Sequence, residues 1–361
     1  MKYKTLIFLA FGLVIMAIML WFIGLDQVLR ALTIANPFYV IMAILLQVLT
    51  YFLFTLRWQF INHITDKDFS FRKLLPMVLV SLSINNITPS GRGGGEPVRA
   101  YLLTQEEEDS FSETFATVIA DRALDTFPFV ILSIITIIGL MTQLTLSPIM
   151  LIIMILAVIL IVIAVFLLIF MSINEAFGIK ITNWISKLVI RIFKKRDPEE
   201  IKNKIEKAVE GFQSTMRVMT SDKRMLIYAL PLSFVIWIVE ILRVYAVFTA
   251  FGCTVSPIII GEVFIVASLV GMIPLLPGGL GAVDGFMILL YSSSGISPST
   301  SAAATVIERL ISFWMTTIIG LLILPMYGSD IFDKISSFVS GDKNLSETEE
   351  EPLIEENNNE K

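Results

Sequence analysis

Two stretches of the chain, residues 6–23 and 149–171, contain no charged residue at all. At about 1.5 Å of rise per residue, eighteen or more apolar positions in a helix cross the hydrocarbon of a bilayer. The same patterning predicts spans over 37–56, 111–140, 148–171, 225–251 and 301–326, with Pro37 in a first turn where its missing N–H costs little. Lys2 and Lys4 precede the first run as they would in a signal peptide. No small-x-small cleavage site follows Ile23, so this run is read as a first span. Two shorter apolar stretches, 74–87 and 258–276, run straight into glycine and proline clusters. The expected fold is an all-α polytopic membrane protein with about six full spans and two broken or re-entrant helix pairs.

Basic residues orient the spans, because loops rich in Lys and Arg stay in the cytoplasm. Residues 57–73 carry four Lys or Arg and 172–224 carry twelve, whereas loops 24–36, 141–147 and 252–257 hold only Arg30 between them. For both basic segments to lie inside, the chain between Lys73 and Phe111 must enter the membrane and return. The same parity has 258–295 enter and return from the outside. Both termini are then cytoplasmic, and the expected location is the cell membrane.

Composition fits this class. Hydrophobic residues make up 55% of the 361 positions and charged residues 16%, against about 25% charged in soluble domains. The net charge of −5 is localised: residues 328–361 contribute −7 and the membrane domain, 1–327, about +2. The tail is acidic and aperiodic and is expected to be disordered. Within the cytoplasmic loop 172–224, two amphipathic helices are predicted. One sets Trp184, Leu188, Val189 and Ile192 against Lys187, Arg191, Lys194 and Lys195. The other repeats Ile201, Ile205, Ala208, Phe212, Met216 and Met219. They either pack on the bundle or present a basic surface to anionic lipid. A single cysteine, Cys253, and a single histidine, His63, exclude an internal disulfide, a cysteine cluster and a paired-histidine metal site. No metal and no cofactor is expected.

The most informative feature is a similarity within the chain. One segment reads Pro89-Ser-Gly91-Arg92-Gly93-Gly94-Gly95-Glu96; another reads Pro277-Gly278-Gly279-Leu-Gly281-Ala-Val-Asp284. Each has glycine two and four residues after proline and a carboxylate seven after it. About twenty-five residues further on comes an acid–arginine pair, Asp121-Arg122 in one case and Glu308-Arg309 in the other. In register, these matches predict a duplication, with repeats over about 70–141 and 258–326. The charge count places them in opposite orientations, as in transporters whose substrate sits between broken helices. Broken backbone is tolerated in a membrane only where protein or water satisfies it, and N–H groups at a helix start favour an anion.

The charges near these breaks are Arg92, Glu96, Arg99, Asp121, Arg122, Asp125, Asp284, Glu308 and Arg309. Each costs about 2.5–3.5 kcal/mol at a helix centre, so each is expected to face a polar interior and to pair. Asp121 and Asp125 share a helix face. The set reads either as a path for a charged lipid headgroup or as structural ion pairs, Arg122 with Glu96 and Arg309 with Asp284. Glu240 and Arg243 in a neighbouring span extend it.

The strings TPSGRGGGEPVRAYLL, ADRALD, LPGGLGAVDG and ERL resemble the integral membrane domain shared by lysylphosphatidylglycerol synthases and the UPF0104 flippase-like proteins. The resemblance covers roughly 6–326. It implies handling of a polar-headed lipid, phospholipid or polyprenyl-linked, and in the synthases translocation of an aminoacylated lipid. A similar domain occurs in archaeal dolichol-linked glycosyltransferases. The soluble transferase domains of both groups have no counterpart in the acidic tail of roughly thirty-five residues after the last span.

Three functions compete. A transporter would hold an anionic lipid with Arg92, Arg99, Arg122 and Arg309, and Glu96, Asp121, Asp125 and Asp284 are its candidate proton carriers. No Walker A sequence is present. A non-catalytic subunit would dock a separate lipid- or glycan-modifying enzyme. An intramembrane lipid-phosphate enzyme is disfavoured, because Arg92 stands where the Pro-Ser-Gly-His of lipid phosphatases needs histidine, and no DDxxD cluster exists. A non-enzyme is the expectation. Nucleic acid is not an expected partner, because the basic residues flank membrane helices.

Overall fold

The computed structural model describes residues 25–88, 94–107, 110–143, 198–271, 279 and 281–327, with separate positions between 152 and 184. The expected spans over 6–23 and 148–171, the first amphipathic helix and the tail lie wholly or mostly outside the described residues. Those described form helices: α1 (Leu25–Ile34), α2 (Pro37–Ile64), α3 (Phe71–Ile87), α4 (Gly95–Glu107), α5 (Phe111–Gln143), α6 (Pro198–Ser221), α7 (Met225–Ala250), α8 (Pro257–Gly271), α9 (Ala282–Ser293) and α10 (Pro298–Tyr327). Helices α2, α7 and α10 are long and apolar enough to cross a membrane. The 33 residues of α5 span about 50 Å.

Helix α2 shows how this chain solves the bilayer. Asn36 caps it, accepting a hydrogen bond from the Phe38 N–H. One face, Phe38, Ile41, Leu45, Leu49, Phe52 and Leu56, is apolar and exposed, while Gln47, Thr50, Tyr51, Thr55, Arg57 and Asn62 are buried. This is the reverse of a water-soluble helix. The exposed stripe meets hydrocarbon, and the polar stripe is sheltered by protein that can satisfy it. Helix α5 carries a similar outer stripe of Phe127, Ile131, Ile134, Ile135 and Ile138.

Helices α2 and α7 run antiparallel at the centre. The Asn36 N–H at the start of α2 donates to the Ala250 carbonyl at the end of α7 (2.8 Å). Helices α3 and α4 fold back on each other, and the open end of this hairpin lies beside the end of α2. There Lys73 Nζ is 3.4 Å from Glu106, and Lys67 pairs with Glu113 of α5 at 3.1 Å. The α8–α9 hairpin opens at the other end of the bundle, where Tyr291 of α9 packs edge-on against Phe248 near the end of α7, ring centres 4.5 Å apart.

Three expectations change. The second span does not stop at Leu56; α2 continues to Ile64, so Arg57 lies inside the helix rather than in a basic loop. Its continuation is held by buried Trp58, Ile61 and Ile64. Residues 25–34, read as loop, form α1, which seats Ala31 in the core shared by α7 to α10. The second amphipathic helix, α6, buries Phe212, Met216 and Met219 against α5, but Ala208 is exposed, because only its C-terminal half reaches the bundle.

Candidate functional site

The intramembrane charges gather in two clusters, each built around an arginine from a central helix. In the first, Arg57 of α2 is fully buried. Its Nε donates to Asp121 Oδ1 (2.6 Å) and its Nη2 to Asp125 Oδ2 (3.0 Å); Nη1 is shared between Asp125 Oδ1 and Ser233 Oγ of α7. The i, i+4 spacing of the two aspartates on α5 presents them together to this one planar fork. Arg99 of α4 donates to the other Asp121 oxygen at 2.9 Å and stacks 4.6 Å above the ring of Trp58. Trp58 in turn donates to Thr117 Oγ1.

Arg122 completes this cluster. Its Nε lies 2.6 Å from Glu96 Oε1 and its Nη1 3.7 Å from Asp125 Oδ2. The first is a close charge contact in which the N–H is not directed at the oxygen. Asn85 of α3 holds the same Glu96 oxygen: its amide donates to Glu96 Oε1 (3.0 Å) and its carbonyl accepts the Gly95 N–H (2.7 Å). Arginines 57, 99 and 122 thus face Glu96, Asp121 and Asp125, a neutral set. Arg57 and Arg99 are at most 2% exposed, whereas the Arg122 side chain is 30% exposed.

The second cluster repeats the plan. Arg243 of α7 donates to Glu308 Oε1 of α10 at 3.0 Å and to Gln47 of α2, with Glu240 3.8 Å away. Arg309 Nε lies 2.8 Å from Asp284 Oδ1 and stacks over Phe313 at 4.4 Å. Asp284 also accepts the Gly281 N–H, closing the start of α9. In both clusters the arginine of the central helix holds the acid of an acid–arginine pair, and the arginine of that pair holds the acid that opens a hairpin's return helix. The sequence separations agree, 64 residues from Arg57 to Asp121 and 65 from Arg243 to Glu308.

The link between α2 and α7 is reciprocal. Gln47 and Ser233 each stand ten residues before the arginine of their own helix, and each receives a hydrogen bond from the arginine of the other. Such exchange of equivalent contacts is what a two-fold relation between two similar units produces.

Of the residues expected at the site, Glu96, Arg99, Asp121, Arg122 and Asp125 come together in the first cluster, and Asp284, Glu308 and Arg309 in the second. Arg92 lies outside the described residues, as do Pro89, Gly91, Gly93, Pro277 and Gly278. Gly94 directly precedes α4, and Gly279 and Gly281 adopt φ of 68° and 73°, left-handed values that let the chain turn into α9. Sequence reasoning missed Arg57, Gln47, Asn85 and Ser233. Arg57 could have been found, since Arg243 follows it at nearly the spacing that separates Asp121-Arg122 from Glu308-Arg309.

The model of the lysylphosphatidylglycerol synthase TM region matches residues 8–320. A UPF0104 membrane protein of Methanothermobacter thermautotrophicus is 50% identical over 93% of this chain and 99% of its own length. One from Methanocaldococcus jannaschii is 33% identical over 92% of this chain and 97% of its own. Glycosyltransferase AglD of Haloferax volcanii is 20% identical over 85% of this chain but only 51% of its own length. The chain is therefore a membrane protein that belongs to the family of the lysylphosphatidylglycerol synthase TM region and the UPF0104 membrane proteins.

Proposed function

We propose that this protein moves a lipid with an anionic, polar headgroup between the leaflets, and that its two halves form an inverted-topology repeat around that path. The observation that carries this reading is the doubled charge network, which places the pairs Arg122–Glu96 and Arg309–Asp284 at the two helix breaks. The antiparallel pairing of α2 with α7, and hairpins that open at opposite ends, support the inverted arrangement. Arg57, Arg99 and Arg243 are buried, each donates to a buried carboxylate, and they serve as fixed supports. Arg122 is different: it is partly exposed, and Glu96 meets it without a directed hydrogen bond. A lipid phosphate replaces Glu96 as its partner, in the bidentate geometry guanidinium favours. In the other half the equivalent pair, Arg309 and Asp284, is more enclosed, with the Arg309 side chain only 7% exposed. In this reading the open end of the α3–α4 hairpin, α6 and both termini face the cytoplasm, which the excess of Lys and Arg in the basic segments supports.

The test is leaflet exchange of labelled phosphatidylglycerol and phosphatidylcholine in reconstituted vesicles. The reading expects exchange above protein-free vesicles for the anionic lipid and less for the zwitterionic one. No exchange of either lipid by folded protein would favour instead a membrane subunit that docks a lipid- or glycan-modifying enzyme. The glycosyltransferase relative, about half of which aligns with this chain, lends that second reading its support.

A further inference from the structure

Outside both clusters lies one more intramembrane acid, Glu262, five residues into α8. It is 4% exposed, and its Oε1 is buried without a hydrogen-bond partner among the described residues. It lines a cleft of about 300 Å³ between α5, α7 and α8, whose other walls are apolar, among them Leu132, Ile135, Ile238, Leu242 and Ile258. Ile135, Ile238, Leu242 and Ile258 are also exposed on the outer surface of the bundle, so the cleft opens toward hydrocarbon.

The charges on the surrounding elements are engaged elsewhere. On α5, Asp121, Arg122 and Asp125 belong to the first cluster, and Glu113 meets Lys67. On α7, Arg243 faces both Glu240 and Glu308. On α9, Asp284 faces Arg309, and Tyr291 packs on Phe248. None of these lines the cleft. An ionised carboxylate between such apolar walls has no cation among the described lining residues to offset its desolvation, while the protonated acid is neutral and fits.

We propose that Glu262 is a proton-binding site: its carboxyl carries a proton in the hydrocarbon-facing cleft and exchanges it with water at the nearby start of α8. Glu262 lies about 7.5 Å along the helix from Pro257, which makes that exit short. Each of the acids named from sequence as proton carriers already has an arginine partner: Glu96 has Arg122, Asp121 has Arg57 and Arg99, Asp125 has Arg57, and Asp284 has Arg309. The position is also asymmetric: the corresponding part of α3 carries Leu74 and Leu75. Proton binding here does not depend on lipid movement, and its test is separate.

That test is modification of the full-length protein in vesicles by dicyclohexylcarbodiimide, located by peptide mass spectrometry. This apolar reagent adds to a protonated carboxyl to give an O-acylisourea, which rearranges to a stable N-acylurea. At pH 7 the expected result is labelling of Glu262, at least tenfold above that of ion-paired Asp121 and Glu308. Labelling should fall only in alkaline buffer, and the site should resist a water-soluble carbodiimide. Glu262→Gln should lose the label and keep the wild-type melting temperature, since one neutral side chain replaces another of similar shape. Folded wild-type protein that stays unlabelled at pH 7 would overturn the proposal. So would a Glu262→Gln variant with a markedly lower melting temperature, which would reveal a partner for the charged form.

Discussion

Arg57→Met is expected to destabilise the protein by about 3–5 kcal/mol, because it strands buried carboxylates without a cation. Arg57 is the only arginine that contacts both Asp121 and Asp125 with directed hydrogen bonds among the described residues. Asp121 keeps Arg99 after the substitution, whereas Asp125 keeps only the distant edge of Arg122 at 3.7 Å. Adding Asp125→Asn to Arg57→Met should therefore recover part of the loss, since the residual charge then has a partner. Arg57→Lys should recover less, because a single ammonium cannot span both aspartates and Ser233 as the planar fork does. Thermal unfolding in detergent measures all four proteins. Wild-type stability in Arg57→Met would mean that this cluster does not hold the bundle together.

The second large effect is expected at Gly95. A Cβ there would lie 1.9 Å from the Ser81 carbonyl oxygen and 2.8 Å from its Oγ. The obstacle is helix backbone and cannot swing aside, so the cost of Gly95→Ala should reach at least about 3 kcal/mol, the upper end of usual overpacking penalties. The damage is also specific. Separating α4 from α3 removes the Gly95 N–H from Asn85 and withdraws Glu96 from Arg122. Gly285→Ala is the matching control: it lies within α9 with nothing inside 4 Å of the new methyl. It should be neutral or up to about 1 kcal/mol more stable, the usual gain of alanine over glycine in a helix. Equal melting temperatures for the two variants would contradict the close α3–α4 packing.

The acid–arginine pairs and proline–glycine breaks were legible in the sequence because charge and helix breakers stand out against apolar runs. The pairs Arg122–Glu96 and Arg309–Asp284, one of the two readings of these charges, lie 2.6 and 2.8 Å apart in the fold. Arg57 was misread for a physical reason. A charge at the end of an apolar run looks like a loop flank, and only the burial of Trp58, Ile61 and Ile64 beyond it shows that the helix continues. Gln47, Asn85 and Ser233 carry no charge and leave no mark on hydropathy, yet they orient the arginines and Glu96. Glu262 was visible as the single acid within 258–276, but no duplicated partner drew attention to it. Its significance rests on what surrounds it, which is a property of packing.

The most direct test of lipid movement through the first cluster is phosphatidylglycerol exchange by Arg122→Gln beside wild type, at equal incorporation and with folding verified. Arg72→Gln, at an exposed arginine near the start of α3, serves as the control. Losing a charged hydrogen-bonding partner of about 1.5–3 kcal/mol should slow exchange about ten- to a hundredfold in Arg122→Gln and leave Arg72→Gln at the wild-type rate. Undiminished exchange by a folded Arg122→Gln protein would contradict the placement of the lipid headgroup at this arginine.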